Sequence, residues 1–175
     1  TKVLLSHLHF DHAGGCVAPV MDEATPTFPN AEYVVQAGEL SAPYGDLSDA
    51  ARDRIVTALD REGQLVTVEG DGWLTDEIEH AHTGGHSRDH QLFRLHTAGR
   101  TVLFGGDVLP TPGQVTRRFQ AKYDHDGAAS QAWRTQLARE AADGGHLALF
   151  YHSTDTLAGF IDDASGGLRV EAVAV

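Results

Sequence analysis

The chain has 175 residues, the size of one ordinary domain, and its 25 Asp and Glu outnumber 13 Lys and Arg for a net charge of −12. A surface of that sign repels phosphate backbones and anionic lipid, which argues against nucleic acid and membrane surfaces as partners. Hydrophobic residues at 41% exclude a disordered chain, the single Cys16 excludes an internal disulfide, and no apolar run reaches the roughly 18 residues of a bilayer span.

Thr1-Lys2-Val3-Leu4-Leu5-Ser6 reads as a strand, so the sequence opens inside an element and reaches dense His/Asp chemistry by its seventh residue. Terminal residues fray, and a site this near a terminus leads us to expect further strands upstream of Thr1. Ala13 to Asn30, rich in small residues and Pro, reads as a loop; Ala31 to Gln36 is a short strand and Ala37-Gly38-Glu39-Leu40 a helical start. Leu47 to Glu62 has helical spacing, with Ile55, Val56 and Leu59 on one side. Gln64 to Val68 is strand-like and enters a turn at Glu69-Gly70-Asp71-Gly72, and Glu77 to His82 alternates as a half-exposed strand does.

Gln91 to His96 and Arg100 to Phe104 are strands around a turn at Thr97-Ala98-Gly99. Leu109 to Gly127 is loop-like, and Asp126 or Ser130 caps a helix from Ala129 to Ala142 that stops at Gly144-Gly145. His146 to Tyr151 is a buried strand, and Thr156 to Asp162 pairs with Leu168 to Val175 in a hairpin around Gly166-Gly167. Strands and helices interleave without a repeat or a linker, which predicts one α/β domain over residues 1–175.

Histidine is the outlier, with 11 copies in 175 residues, and it is the commonest metal ligand. The densest stretch is His7-Leu8-His9-Phe10-Asp11-His12. At a strand end His7 and His9 point the same way, because side chains alternate, and a turn after His9 lets Asp11 and His12 approach the same point. Four ligands from six residues suit two metal ions held close together, and imidazole with carboxylate favours Zn²⁺, with Mn²⁺, Co²⁺ or Fe²⁺ as alternatives.

His-Leu-His-Phe-Asp-His-Ala-Gly-Gly resembles the characteristic motif of the metallo-β-lactamase-fold metallohydrolase superfamily. Thr83-Gly84-Gly85-His86-Ser87, Phe104-Gly105-Gly106-Asp107 and Leu149-Phe150-Tyr151-His152 resemble its later landmarks, in the same order. The resemblance implies an αββα sandwich, lacking its N-terminal strands in this chain. It implies a first metal on His7, His9 and His86, a second on Asp11, His12 and His152, and a carboxylate bridge from Asp107. It further implies hydrolysis of a small-molecule lactone, ester or amide by a hydroxide activated at the dinuclear site, with Asp11 as the candidate proton shuttle.

His86-Ser87-Arg88-Asp89-His90-Gln91 and Thr27 to Gln36 look like the N-acyl-homoserine lactonase branch. Two departures separate the chain from it. Val108-Leu109-Pro110-Thr111 follow Asp107 where those lactonases carry a Tyr, and His152-Ser153 stands where they have His-Asp. A sulfur dioxygenase on the same fold and a metal-binding fragment without turnover are the alternatives. With no charged-then-apolar leader in these residues, a cytoplasmic location is expected.

Several residues have competing readings. His90 is either a support for the ligands or a loop contact. His80 and His82 are expected at the surface, and His125 either lines a cleft or belongs to a capping segment. Cys16 is expected to be structural, Arg117-Arg118 a solvated loop, and Trp73 and Trp133 packing residues. His96 and His146 have no assigned partner.

Overall fold

The computed structural model describes residues 1–20, 23–41, 49–164 and 166–174. They form two compact units, Thr1–Gly70 and Asp71–Val175. In the first, β1 (Lys2–Leu4) is followed by a single helical turn, α1 (Phe10–Ala13), and a 3-10 turn over Gly14–Cys16. A two-stranded ribbon comes next, β2 (Val17–Val20) with β3 (Glu23–Pro26), then β4 (Glu32–Gln36), a 3-10 turn over Ala37–Leu40, α2 (Asp49–Arg61) and β5 (Leu65–Val68).

Strands β1, β4 and β5 form a parallel sheet in which Val3 pairs with Tyr33 and Tyr33 with Leu65. Tyr33, Val34 and Val35 are wholly buried, the continuous apolar run expected of a parallel strand. Ile55 and Leu59 of α2 share one core with Leu5, Leu8, Cys16, Tyr33 and Val35, so the helical face read from the sequence is the one that packs. Leu47 and Ser48, in the expected helix, lie outside the described residues.

The β2–β3 ribbon corrects the loop expected between Ala13 and Asn30. Pro19 and Pro26 weigh against strands, yet a two-stranded ribbon tolerates proline because its outward N–H positions need no partner.

The second unit holds β6 (Gly72–Thr75), β7 (Ile78–His82), β8 (Gln91–His96) and β9 (Thr101–Phe104), then 3-10 turns at Gly106–Val108 and Pro112–Gln114. It continues with α3 (Gly127–Gly144), β10 (Leu147–Leu149), β11 (Ala158–Ala164) and β12 (Gly167–Val173). Among the described residues these strands make one sheet in the order β12-β11-β10-β9-β8-β7-β6. Only the β9–β10 pair is parallel; the others are antiparallel. β6 is a further correction, since a turn alone was expected around Gly72. Gly72 sits opposite His80, where an added Cβ would come within 3.0 Å of the His80 ring.

Helix α3 is longer than expected at both ends. Asp126 is its cap, accepting the N–H groups of Ala128 and Ala129 at 3.0 Å, and Gly145 ends it in the left-handed region at φ 61°. Its stripe of Ser130, Arg134, Leu137, Ala138 and Ala141 is buried, and Leu137, Ala138 and Ala141 meet Leu92, Leu103, Ala148 and Ile161 of the sheet. Among the described residues, the first unit thus sets α2 beside a three-stranded sheet and a two-stranded ribbon, and the second packs α3 on a single seven-stranded sheet. No helix among the described residues is long and apolar enough to cross a membrane.

Burial pushes the Cys16 thiol up to about 11. The thiolate is thus disfavoured in the folded chain, and stability present below the unfolded thiol's value of about 8.5 is lost as pH rises through the folded value. We expect the denaturation midpoint to fall as pH rises from about 8.5 toward 11, and Cys16→Ala to remove that part of the slope; denaturant titrations across this range measure both.

Candidate metal centre

In the first unit the histidine motif begins where β1 ends. Pairing with β4 extends to Leu5, whose N–H donates to the Val34 carbonyl at 3.0 Å, and the chain then leaves the sheet. His7 is fully buried, and its ring lies edge-on to that of His9 with centroids 4.4 Å apart, so both imidazoles occupy one side of the segment. The chain turns at once: the N–H groups of His12 and Ala13 donate to the His9 carbonyl at 3.0 and 2.8 Å. That turn brings the His12 ring to 4.2 Å from His7 and its Nε2 to 3.6 Å from Asp11 Oδ2. Ligating atoms of His7 and His9, of His7 and His12, and of Asp11 and His12 each lie within 4.8 Å of one another.

Two neighbours hold this cluster. Ser6 Oγ lies 3.0 Å from His7 Nδ1 and 3.5 Å from His12 Nδ1. Glu39, wholly buried in the 3-10 turn after β4, accepts the N–H of Leu8 at 3.0 Å and so fixes the peptide between His7 and His9. Glu39 was read from the sequence only as part of a helical start.

In the second unit, His86 lies in the loop after β7, Asp107 just after β9 and His152 shortly after β10. Strand directions put all three at one sheet edge. β9 and β10 are parallel neighbours, and β7 runs the same way as β9 because each is antiparallel to β8. Asp107 Oδ2 is 3.3 Å from His86 Nε2 and 3.2 Å from His152 Nε2.

The loop around His86 is tied tightly. The N–H groups of Thr83 and Gly84 both donate to the His90 carbonyl, and Gly85 has a φ of +82° that favours glycine. An added Cβ on Gly85 would lie 2.7 Å from the backbone nitrogen of Ser130. His86 Nδ1 faces Asp124 Oδ1 at 2.9 Å, and the Asp124 side chain is almost wholly buried. An imidazole N–H donated to this carboxylate leaves Nε2 as the basic nitrogen directed at Asp107.

His90 makes a loop contact with Thr83 and also reaches the backbone of Asp107. Its Nε2 accepts the backbone N–H of Asp107 at 3.1 Å, so the proton sits on Nδ1, 2.6 Å from Thr83 Oγ1. The ring thereby anchors the turn that carries the carboxylate.

The donor chemistry of each unit fits a divalent cation. Two ligands of one ion, each about 2.0–2.2 Å from it at near-tetrahedral angles, stand roughly 3.0–3.5 Å apart. The Asp107 carboxylate meets both of its histidines at such separations. Imidazole and carboxylate oxygen, without thiolate, suit Zn²⁺ and its divalent neighbours.

Cys16 belongs to the core of the first unit and is no ligand. His80, expected at the surface, is buried opposite Phe93, because Gly72 leaves room for its ring. His82 is half-buried, 3.3 Å from Asp89 Oδ1. His96 lies 3.2 Å from both Glu79 Oε2 and Thr101 Oγ1 and stacks on the exposed Trp73, while Trp133 packs against the core of the second unit. His125 is exposed beside the cap, its N–H donating to the His86 carbonyl, and the His146 N–H closes the end of α3 on Ala141. Arg117 and Arg118 are exposed.

Residues 1–152 match the metallo-beta-lactamase superfamily, and the chain belongs to it. The mixed α/β fold is the one that this membership entails. Among solved structures, a probable metal-dependent hydrolase from Staphylococcus aureus is 24% identical with a TM-score of 0.78 over 99% of this chain. The hydrolase AbOPH of the beta lactamase superfamily is 21% identical with a TM-score of 0.81 over 99%. AidC, a dizinc quorum-quenching lactonase solved with the product N-hexnoyl-L-homoserine, is 19% identical with a TM-score of 0.72 over 100%. At these identities the likeness is one of fold, and the chain spans 63%, 64% and 65% of their respective lengths. No match is found among curated proteins.

On the ligand set that the resemblance implies, removing the carboxylate that faces His86 should weaken metal binding without removing a ligand. For Asp124→Ala we expect a loss of about 10- to 100-fold in metal affinity, measured by competition with a chromophoric chelator.

Proposed function

We propose that this chain carries the metal-binding and catalytic residues of a metal-dependent hydrolase that opens a lactone or cleaves an ester or amide bond of a small molecule. The observation that carries the reading is the Asp107 carboxylate set between His86 and His152, in a superfamily member that also clusters His7, His9, Asp11 and His12. In this reading His7, His9 and His86 hold one ion, Asp11, His12 and His152 a second, and Asp107 serves both. Zinc is the expected metal, from the imidazole and carboxylate donors. Divalent ions bound there would supply an acidified water and polarisation of the substrate carbonyl.

The chain's own residues do the rest. Asp124 holds the proton of His86 Nδ1 so that Nε2 stays available, and His90 keeps the Asp107 turn in place through its peptide N–H. Ser6 and Glu39 hold the peptide and rings of the His7-to-His12 segment, which limits the reorganisation needed on binding. The Asp11 side chain is 52% exposed, so its carboxylate is accessible to a leaving group and to solvent, as a proton shuttle requires. The dizinc lactonase AidC has the same fold, which supports a lactone as the first substrate to try.

The test is a panel of lactones, esters, amides and β-lactams with the zinc- or manganese-loaded chain, alone and within a longer protein containing it. Hydrolysis should vanish on chelation and return with metal. Asp107→Ala should lower metal stoichiometry and turnover together. Oxygen uptake without hydrolysis, or full turnover by a metal-loaded His86→Ala protein, would overturn the reading.

A further inference from the structure

A cavity of about 260 Å³ opens on the second unit, lined by the Gln114–Arg118 segment, α3 and the β11–β12 turn. Its lining includes Arg117, Arg118, Arg134 and Arg139, and no Asp or Glu. Four of the chain's 13 basic residues therefore gather at one cavity, on a protein whose net charge is −12. Arg139 pairs with Asp163 outside the lining. Arg117 and Arg118 are exposed and have no ion-pair partner among the described residues.

Arg134 is the built part of this site. It is only 3% exposed, and it donates from Nε to the Val108 carbonyl at 2.8 Å and from Nη1 to the Phe119 carbonyl at 2.6 Å. Both hydrogen-bond partners are neutral carbonyls, and its Nη2 donors are used by neither bond. Burial of this guanidinium costs solvation that the field of Asp124 offsets in part, and an anion in the cavity adds to that offset.

We propose that this cavity binds a phosphate-type oxyanion, either free or as the head group of a phosphorylated small molecule. Guanidinium forks match the paired oxygens of such a group, and the exposed Arg117 and Arg118 line the same cavity as the buried Arg134. The volume lies below the roughly 300–1,000 Å³ of drug-sized pockets, so the cavity takes the anionic group rather than a whole large ligand. Because Arg134 also holds Val108, the residue after Asp107, the anion would brace the turn that carries that carboxylate.

The experiment is calorimetric titration of inorganic phosphate, and separately of glycerol phosphate, into the metal-loaded and the chelator-treated chain. Saturable binding that survives chelation is expected, weakened at least about tenfold in Arg117→Gln/Arg118→Gln with metal content and circular dichroism unchanged. Tighter binding of glycerol phosphate identifies a phosphorylated metabolite, and equal binding identifies free phosphate; both support the site. No binding at millimolar phosphate, equal binding by the variant, the same response to chloride at matched ionic strength, or loss of binding on chelation would each overturn it.

Discussion

Strand direction is the constraint on which the clustering of the histidines and carboxylates depends. In the second unit, β7, β9 and β10 all run toward one edge, and His86, Asp107 and His152 follow their C-terminal ends. Reversing any one of these strands would carry its side chain a strand length away, beyond the reach of any rotamer. The first unit obeys the same rule by itself. Its three strands are parallel, so the His7-to-His12 motif after β1 and Glu39 after β4 arrive at a common edge.

Direction brings the side chains near one another, but near is not oriented. Each ring or carboxylate needs a second contact to choose its tautomer and stop its rotation, and the structure supplies these from the backbone and from buried polar groups. His90 accepts the Asp107 N–H, Glu39 accepts the Leu8 N–H, and Asp124 faces His86. All are buried, where a hydrogen bond to a charged group is strong and its loss is costly. The positions of these histidines and carboxylates are therefore as much a property of the polar interior as of the loops that carry them.

This division also explains what could be read from the amino-acid order alone. His7, His9, Asp11 and His12 lie within six residues, and a strand followed by a turn is enough to gather them. Asp107 and His152 follow apolar strands closely enough to be placed. Glu39 and Asp124 carry no such mark: each acts on a residue 31 or 38 positions away, and nothing local distinguishes it from any other loop carboxylate. The β2–β3 ribbon was hidden by its prolines, and β6 by Gly72. The burial of His80 was hidden too, because the space for its ring is made by a glycine on the neighbouring strand. Local pattern reveals residues that act through their neighbours in sequence, and misses those that act only through tertiary contact.

The segment before α3 shows how far stability and site geometry are one matter. The Asp126 carboxylate caps the helix, while its own N–H donates to the Gly85 carbonyl at 2.7 Å. The next N–H upstream, that of His125, goes to the His86 carbonyl, and Asp124 reaches the His86 ring. Gly85 lies so close to Ser130, in the first turn of α3, that no side chain fits between them. The first turn of the helix, its cap and the histidine loop thus satisfy one another's polar groups. A change that frays the start of α3 acts on His86 without touching it, and a change in the Gly84-Gly85 turn acts on the helix in return.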